Sequence, residues 1–159
     1  MAFDLNLQDP LIANNFDLEI QGAKVSSLTS VEGLELELEK MEINQRTALG
    51  HQIQHTALSK PKLTGELTVK RLAPLVSTSD EVWVWFNALR DAGMSTLARK
   101  TQRKNGSIVI FDTTMKEIAR WNFFDAWPSK IASDGVEVGK NEPISETITF
   151  QYEKLERLK

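Results

Sequence analysis

The stretch LELELEKMEI, from Leu34 to Ile43, decides the fold class. Leu34, Leu36 and Leu38 alternate with Glu35, Glu37 and Glu39. A period of two is the period of a β-strand, whose successive side chains point to opposite faces. The leucines then share one face and the carboxylates the other. At Lys40 the phase slips, and Met41 and Ile43 continue the apolar series on odd positions. A bulge near Glu39–Lys40 is expected to return them to the core face. Lys62 to Lys70 repeats the pattern, with Leu63, Leu67 and Val69 inward around Gly65, and Lys62, Thr64, Glu66, Thr68 and Lys70 outward. Near the C-terminus Ile144, Ile148, Phe150 and Tyr152 oppose Ser145, Thr147, Thr149, Gln151 and Glu153. Three long strands with polar outer faces predict a mainly β protein.

Outward from these segments, shorter strands are predicted at Phe16–Gln21, Val25–Val31, Ser107–Phe111, Glu117–Trp127 and Ser129–Ser133, with another at Gly135–Val138 after an Asp134-Gly135 turn. Ile108 to Phe111 is continuously apolar, as in a strand buried on both faces. One helix stands out. Ser79 is placed to cap it, Asp80 and Glu81 complement its dipole, and Val82, Trp85, Phe86 and Leu89 form a single apolar stripe that Gly93 ends. Trp83 lies off that stripe. Between Asn44 and Lys60, NQRTALGHQIQHTALSK is too polar for a core strand and too long for a routine connection. It reads as a long projecting loop. The expected architecture is a two-sheet antiparallel β-sandwich or partly closed barrel, with one flanking α-helix and that loop.

A chain of 159 residues suits one domain, 1–159, and buries enough surface to need no staple. It has no cysteine, which excludes disulfides and thiolate metal sites. Nineteen basic against 22 acidic residues leave a net charge of -3, with no strong pull toward nucleic acid or anionic membrane. Asp4 and Asp9 stand where a secretory signal needs a basic and then an apolar run, and no stretch approaches a membrane span. A soluble protein assembled in the cytoplasm without a signal peptide or membrane anchor is expected.

No constellation of residues calls for covalent chemistry. His51 and His55 have the spacing of zinc-protease ligands, but Gln52 stands where the general base belongs and no third ligand follows. Glu35, Glu37 and Glu39 point out in parallel from one strand instead of facing each other across a cleft. There is no Gly-rich phosphate loop and no G-x-S-x-G elbow. Arg99, Lys100, Arg103 and Lys104 lack interleaved aromatics and read as a solvated loop or a subunit contact. No catalytic, cofactor-binding or metal-binding residue is therefore assigned. Long two-faced strands leave edges that pair with other chains unless blocked, and Pro61 and Pro143 stand only near strand starts. Self-assembly is a use for such edges.

The segment ARWNFFDAWPSK, Ala119 to Lys130, resembles the signature of contractile phage tail-tube proteins, a family that includes the inner-tube proteins of extracellular contractile injection systems. The matching residues are Arg120, Trp121, Asn122, Phe123, Ala126, Trp127, Pro128 and Lys130. Phe16 to Gly33 resembles the family's opening strand–turn–strand, Leu67 to Arg71 the strand before its helix, and Val82 to Phe86 that helix. Asn141-Glu142 and Glu146-Thr147 resemble its ending. The chain departs from the pattern in its long loop, poor in Gly and basic residues, and at Leu72, where the family often has Gly.

The resemblance implies a structural protein and not an enzyme. It implies hexameric rings stacked into a hollow tube inside a contractile sheath, delivering cargo through a target envelope, and likeness in fold to the type VI secretion tube protein. Its implied partners are itself, sheath protein, baseplate or tube-initiator proteins, and effector or DNA in the lumen. In that setting Glu35, Glu37, Glu39, Lys62, Thr64, Glu66, Thr68, Lys70, Ser145, Thr147, Thr149 and Gln151 are the candidate lumen face. Asn44, Gln45, Arg46, His51, Gln52 and His55 are candidate contacts of the loop with neighbouring subunits. Trp121, Phe123 and Trp127, with Pro128, are expected in the subunit core. The alternatives are a tube-initiating baseplate paralogue and a carbohydrate-binding β-sandwich module.

Overall fold

A computed structural model describes residues 15–25, 27–93 and 96–159. The N-terminal stretch with Asp4 and Asp9 lies outside the described residues, as does Ser26. In chain order the elements are β1 (Asn15–Ile20), β2 (Ala23–Val25), β3 (Leu28–Glu32), β4 (Glu37–Arg46), β5 (Gln52–Lys62), β6 (Gly65–Leu72), α1 (Glu81–Ala92), α2 (Thr96–Thr101), β7 (Lys104–Phe111), β8 (Glu117–Ser133), β9 (Ser145–Tyr152) and β10 (Lys154–Arg157). All strand pairs are antiparallel.

The fold turns on β8, which is 17 residues long and belongs to both layers. Its first part pairs with β7 on one side and β10 on the other, while from Trp127 onward it pairs with β9. The register slips twice on the way, at Phe124–Asp125 opposite Asn105 and again at Ser129. Asp125 takes a positive φ of 51° at the first slip, and its amide donates to the Asn105 side chain at 3.0 Å. Bulges of this kind bend a strand and raise its twist, so β8 leaves one sheet and enters the next. One layer is then β2-β1-β7-β8-β10 and the other β8-β9-β6-β3, an open sandwich whose path ends at β2 and β3.

Alternation puts Leu18, Ile108, Phe123 and Leu155 on the inner face of the first layer, and Leu67, Val69, Ile148 and Phe150 on that of the second. All are buried. Phe123 and Phe150 stack across the two layers with ring centroids 6.3 Å apart. Each such ring, fully removed from water, contributes roughly 1.5–3 kcal/mol. Phe123 also requires Gly106: a Cβ there would overlap the Phe123 ring and the Glu19 carbonyl. Val82 and Trp85 bring α1 onto the same core, with Trp85 5.9 Å from Phe150 and its indole N–H bonded to the Gln102 carbonyl at 2.6 Å. Ile108 and Val109 are both buried, as the continuous apolar run required.

The structure corrects several expectations. Asn44 to Lys60 is no loop: β4 and β5 form a two-stranded hairpin, turning at 47–51, that pairs with no other strand among the described residues. Cross-strand hydrogen bonds satisfy the backbone of these polar residues, which a purely hydrophobic criterion for strands overlooks. Lys62 to Lys70 is not one strand, because the chain leaves the hairpin after Lys62 and enters β6 at Gly65. Leu63 is thereby exposed, as are Leu36, Leu38, Met41 and Ile144. Asp80, not Ser79, caps α1, accepting the Trp83 amide at 3.1 Å, while the Ser79 hydroxyl donates to the Val76 carbonyl. Residues 134–144 form an irregular connection with no strand at Gly135–Val138. The segment Val25–Val31 is divided between β2 in one layer and β3 in the other.

Candidate functional site

Two surfaces stand out. The first is the outer face of the second layer. Cross-strand pairing aligns Glu32, Thr68 and Thr149 with Lys130, and Ser30, Lys70 and Thr147 with Ala132, while Glu66 lies opposite Gln151. The Gln151 amide donates to the Glu66 carboxylate at 2.9 Å, and Lys70 pairs with Asp134 at 3.1 Å. Between Leu72 opposite Ser145 at one end and Trp127 opposite Gln151 at the other, this field holds no large apolar side chain. Its reverse side is the core, so β9 alternates partly exposed and buried along its whole length, and β6 does so from Leu67 to Arg71.

The second surface is the hairpin. Leu38 and Leu58 are 66% and 75% exposed, and Met41 and Ile53 are exposed as well. Its turn is closed by the Thr47 amide to the His51 carbonyl at 2.8 Å, and by the His51 amide to the Thr47 hydroxyl at 3.1 Å. Asn44, Gln45, Arg46, His51 and Gln52 gather at the tip, and His55 lies opposite Ile43. At the root Lys62 bonds Glu37 at 3.1 Å, beside a cleft of about 250 Å³ lined in part by Leu36, Leu63, Gly65 and Tyr152.

Residues 12–156 match the profile of the family described as T4-like virus tail tube protein gp19. The chain belongs to this tail-tube family. It is accordingly a structural protein and not an enzyme. No curated protein sequence matches it. Its fold is similar to that of a chain in the anti-feeding prophage cap, the tube terminating cap, at 18% identity and TM-score 0.75, covering 99% of this chain and 98% of that one. It is also similar to a chain of an extracellular contractile injection system, the PVC sheath-tube complex in the extended state, at 16% identity and TM-score 0.70, covering 95% and 93%. Hcp1 of Flavobacterium johnsoniae aligns at 14% identity and TM-score 0.50, covering 90% and 94%.

The residues expected on the lumen do not all share one sheet of this tail-tube protein. Glu66, Thr68, Lys70, Ser145, Thr147, Thr149 and Gln151 do, on β6 and β9. Glu35 precedes β4, Glu37, Glu39 and Lys62 belong to the hairpin, and Thr64 lies between β5 and β6. Within the signature segment Phe123 and Pro128 are buried, whereas Trp121 and Trp127 are half-buried against the core. Each of the two indoles is covered on its outer side by a guanidinium, Arg157 at 5.8 Å over Trp121 and Arg103 at 4.7 Å over Trp127. Arg103 also pairs with Glu153, which gives the basic cluster a role within the subunit.

The sequence reading missed a buried ionic network. Arg71 and Glu146 are each 1% exposed. Arg71 donates from Nε to Glu146 Oε1 at 2.7 Å, and from Nη1 and Nη2 to the Asp80 carboxylate at 2.9 and 2.6 Å. The Trp83 indole donates to Glu146 Oε2 at 3.2 Å. Burial alone would push the Arg71 guanidinium down, but its bonds to Asp80 and Glu146 hold it above its ordinary value. The network ties the start of α1 to the end of β6. Its only trace in the sequence is a break in pattern: Arg71 and Glu146 occupy inward positions of otherwise apolar strands.

Proposed function

We propose that this chain is a subunit of hexameric rings that stack into the hollow inner tube of a contractile phage tail or injection system, delivering cargo through a target envelope. The single domain 1–159 would supply a bore lined by the outer face of β3, β6, β9 and the second part of β8. Membership of the tail-tube family supports the tube, and the polar field around Thr68 and Thr149 carries the assignment of the bore. A wall of hydroxyls, amides and mixed charge offers translocating cargo no apolar patch to adhere to. Among the described residues β2, β3 and β10 retain unpaired edges, through which neighbouring subunits can add strands. The sheath, baseplate and terminator assemblies that contain structurally similar chains support the same classes of partner here.

A cysteine at Thr68 or Thr149 tests the bore in this cysteine-free chain. In assembled tubes a small maleimide is expected to label either site, while one carried on a reagent too large for the bore labels them poorly. Equal labelling by both along intact tubes would place this face outside.

A further inference from the structure

The cleft of about 250 Å³ lies where the chain passes between the sandwich and β4–β5: Glu35 and Leu36 line it just before β4, Leu63 and Thr64 just after β5. Its far wall comes from β6, β9 and β10. Tyr152 in that wall is only 5% exposed, yet its hydroxyl has no hydrogen-bond partner among the described residues. No fully buried side-chain oxygen among those residues lacks a partner, so the hydroxyl opens into the cleft. Gly65 makes the room for it, because a Cβ there would overlap the phenol oxygen. Burial, and after it the Glu35 charge, hold the phenol above its ordinary value and keep it protonated at neutral pH. Glu35, Glu37 and Glu66 bring three carboxylates to the cleft against the single ammonium of Lys62. Lys62 is bonded to Glu37, and Glu66 accepts from Gln151. The Glu35 carboxylate has neither a hydrogen bond nor an ion pair among the described residues.

We infer that this cleft binds a short protonated aliphatic amine, its ammonium held between the Glu35 carboxylate and the Tyr152 phenol oxygen and its chain lying along Leu36 and Leu63. The excess of carboxylates selects a cation. Among the described residues no three His, Asp or Glu side chains are placed to hold a metal ion. Leu36 and Leu63 are exposed beside the polar groups, so an alkyl stem removes apolar surface from water that a bare ion would leave wet. An ammonium donates in three directions, and here it meets an ionised acceptor and a phenol oxygen that the protein leaves unused. The volume falls below the roughly 300–1,000 Å³ of drug-sized sites, which limits the ligand to a short chain. A seated amine touches both connections as well as the sandwich, and so braces the root of the hairpin.

Titration of the full chain with n-pentylammonium chloride, followed by heteronuclear NMR, tests the site. Saturable shifts are expected at the Leu36 and Gly65 amides, with slower hydrogen exchange at Leu63, while n-pentanol and sodium chloride at equal ionic strength produce neither. Glu35→Gln changes an exposed side chain and Tyr152→Phe keeps the ring, so both variants should retain the wild-type melting temperature. Each is expected to weaken binding by roughly fivefold or more. Shifts that rise without saturating, that sodium chloride reproduces, or that either variant retains at wild-type affinity overturn the site.

Discussion

The Arg71 side chain joins the end of β6 to Glu146 on β9 and to Asp80 at the start of α1. It is buried with two carboxylates, and removing one partner of a buried ionic network leaves uncompensated charge. Arg71→Met is expected to cost about 3–5 kcal/mol, read from urea or thermal melting at neutral pH. Replacing Arg71, Asp80 and Glu146 together by apolar residues of similar volume should recover most of that loss, because the desolvation penalty disappears with the charges. The same network predicts the acid response. Burial by itself would raise the Asp80 carboxyl, but the Arg71 bond and the Trp83 amide outweigh it and hold the group below its ordinary 3.8. A depressed folded value contributes stability above the unfolded pKa and loses it as pH falls through the folded one. The wild-type melting temperature should therefore drop on acidification below about pH 4, and Arg71→Met should flatten that drop.

Among the elements, the hairpin and β8 take opposite parts. β8 is the shared strand of both layers, and its bulges at Asp125 and Ser129 make the corner between them. Among the described strands the hairpin pairs only with itself, so its loss should leave folding untouched. Replacing residues 40–58 by a short Asn-Gly turn is expected to leave the near-ultraviolet circular dichroism and melting temperature unchanged while abolishing tube growth. A truncated chain that melts markedly lower would show the hairpin supporting the subunit core; one that still grows tubes would remove it from assembly. This element also shows where pattern reading stopped. Within Leu34 to Ile43 only the part from Glu37 is strand, and alternation says only that two faces differ, not which of them meets the subunit's own core. Leu36 and Leu38, which the strand pattern assigned inward, are exposed because no second layer of the described residues lies over the hairpin.

At the scale of the whole molecule, the described residues leave strand edges unpaired and the hairpin paired only with itself, which suits the assembly proposed above. Mass photometry over a concentration series is expected to show a six-subunit species growing at the expense of monomer, with tubes at the highest concentrations. A strict monomer throughout would contradict the proposed assembly. The sequence by itself determined the β class, the buried run at Ile108 and Val109, the helix with its Val82–Trp85 face, the inward Leu67 and Val69 of β6 and Ile148, Phe150 and Tyr152 of β9, and the family signature from Arg120 to Lys130. These are local or periodic properties, written in neighbouring residues and the polarity of alternate positions. Only the tertiary structure decided that β8 bends between two layers, that residues 37–62 pair with themselves, and that Arg71, Asp80 and Glu146 meet. Each depends on which distant segment lies alongside, 75 residues away for Arg71 and Glu146. A periodic pattern holds no information about that choice, which is made by how the two inner faces pack on one another.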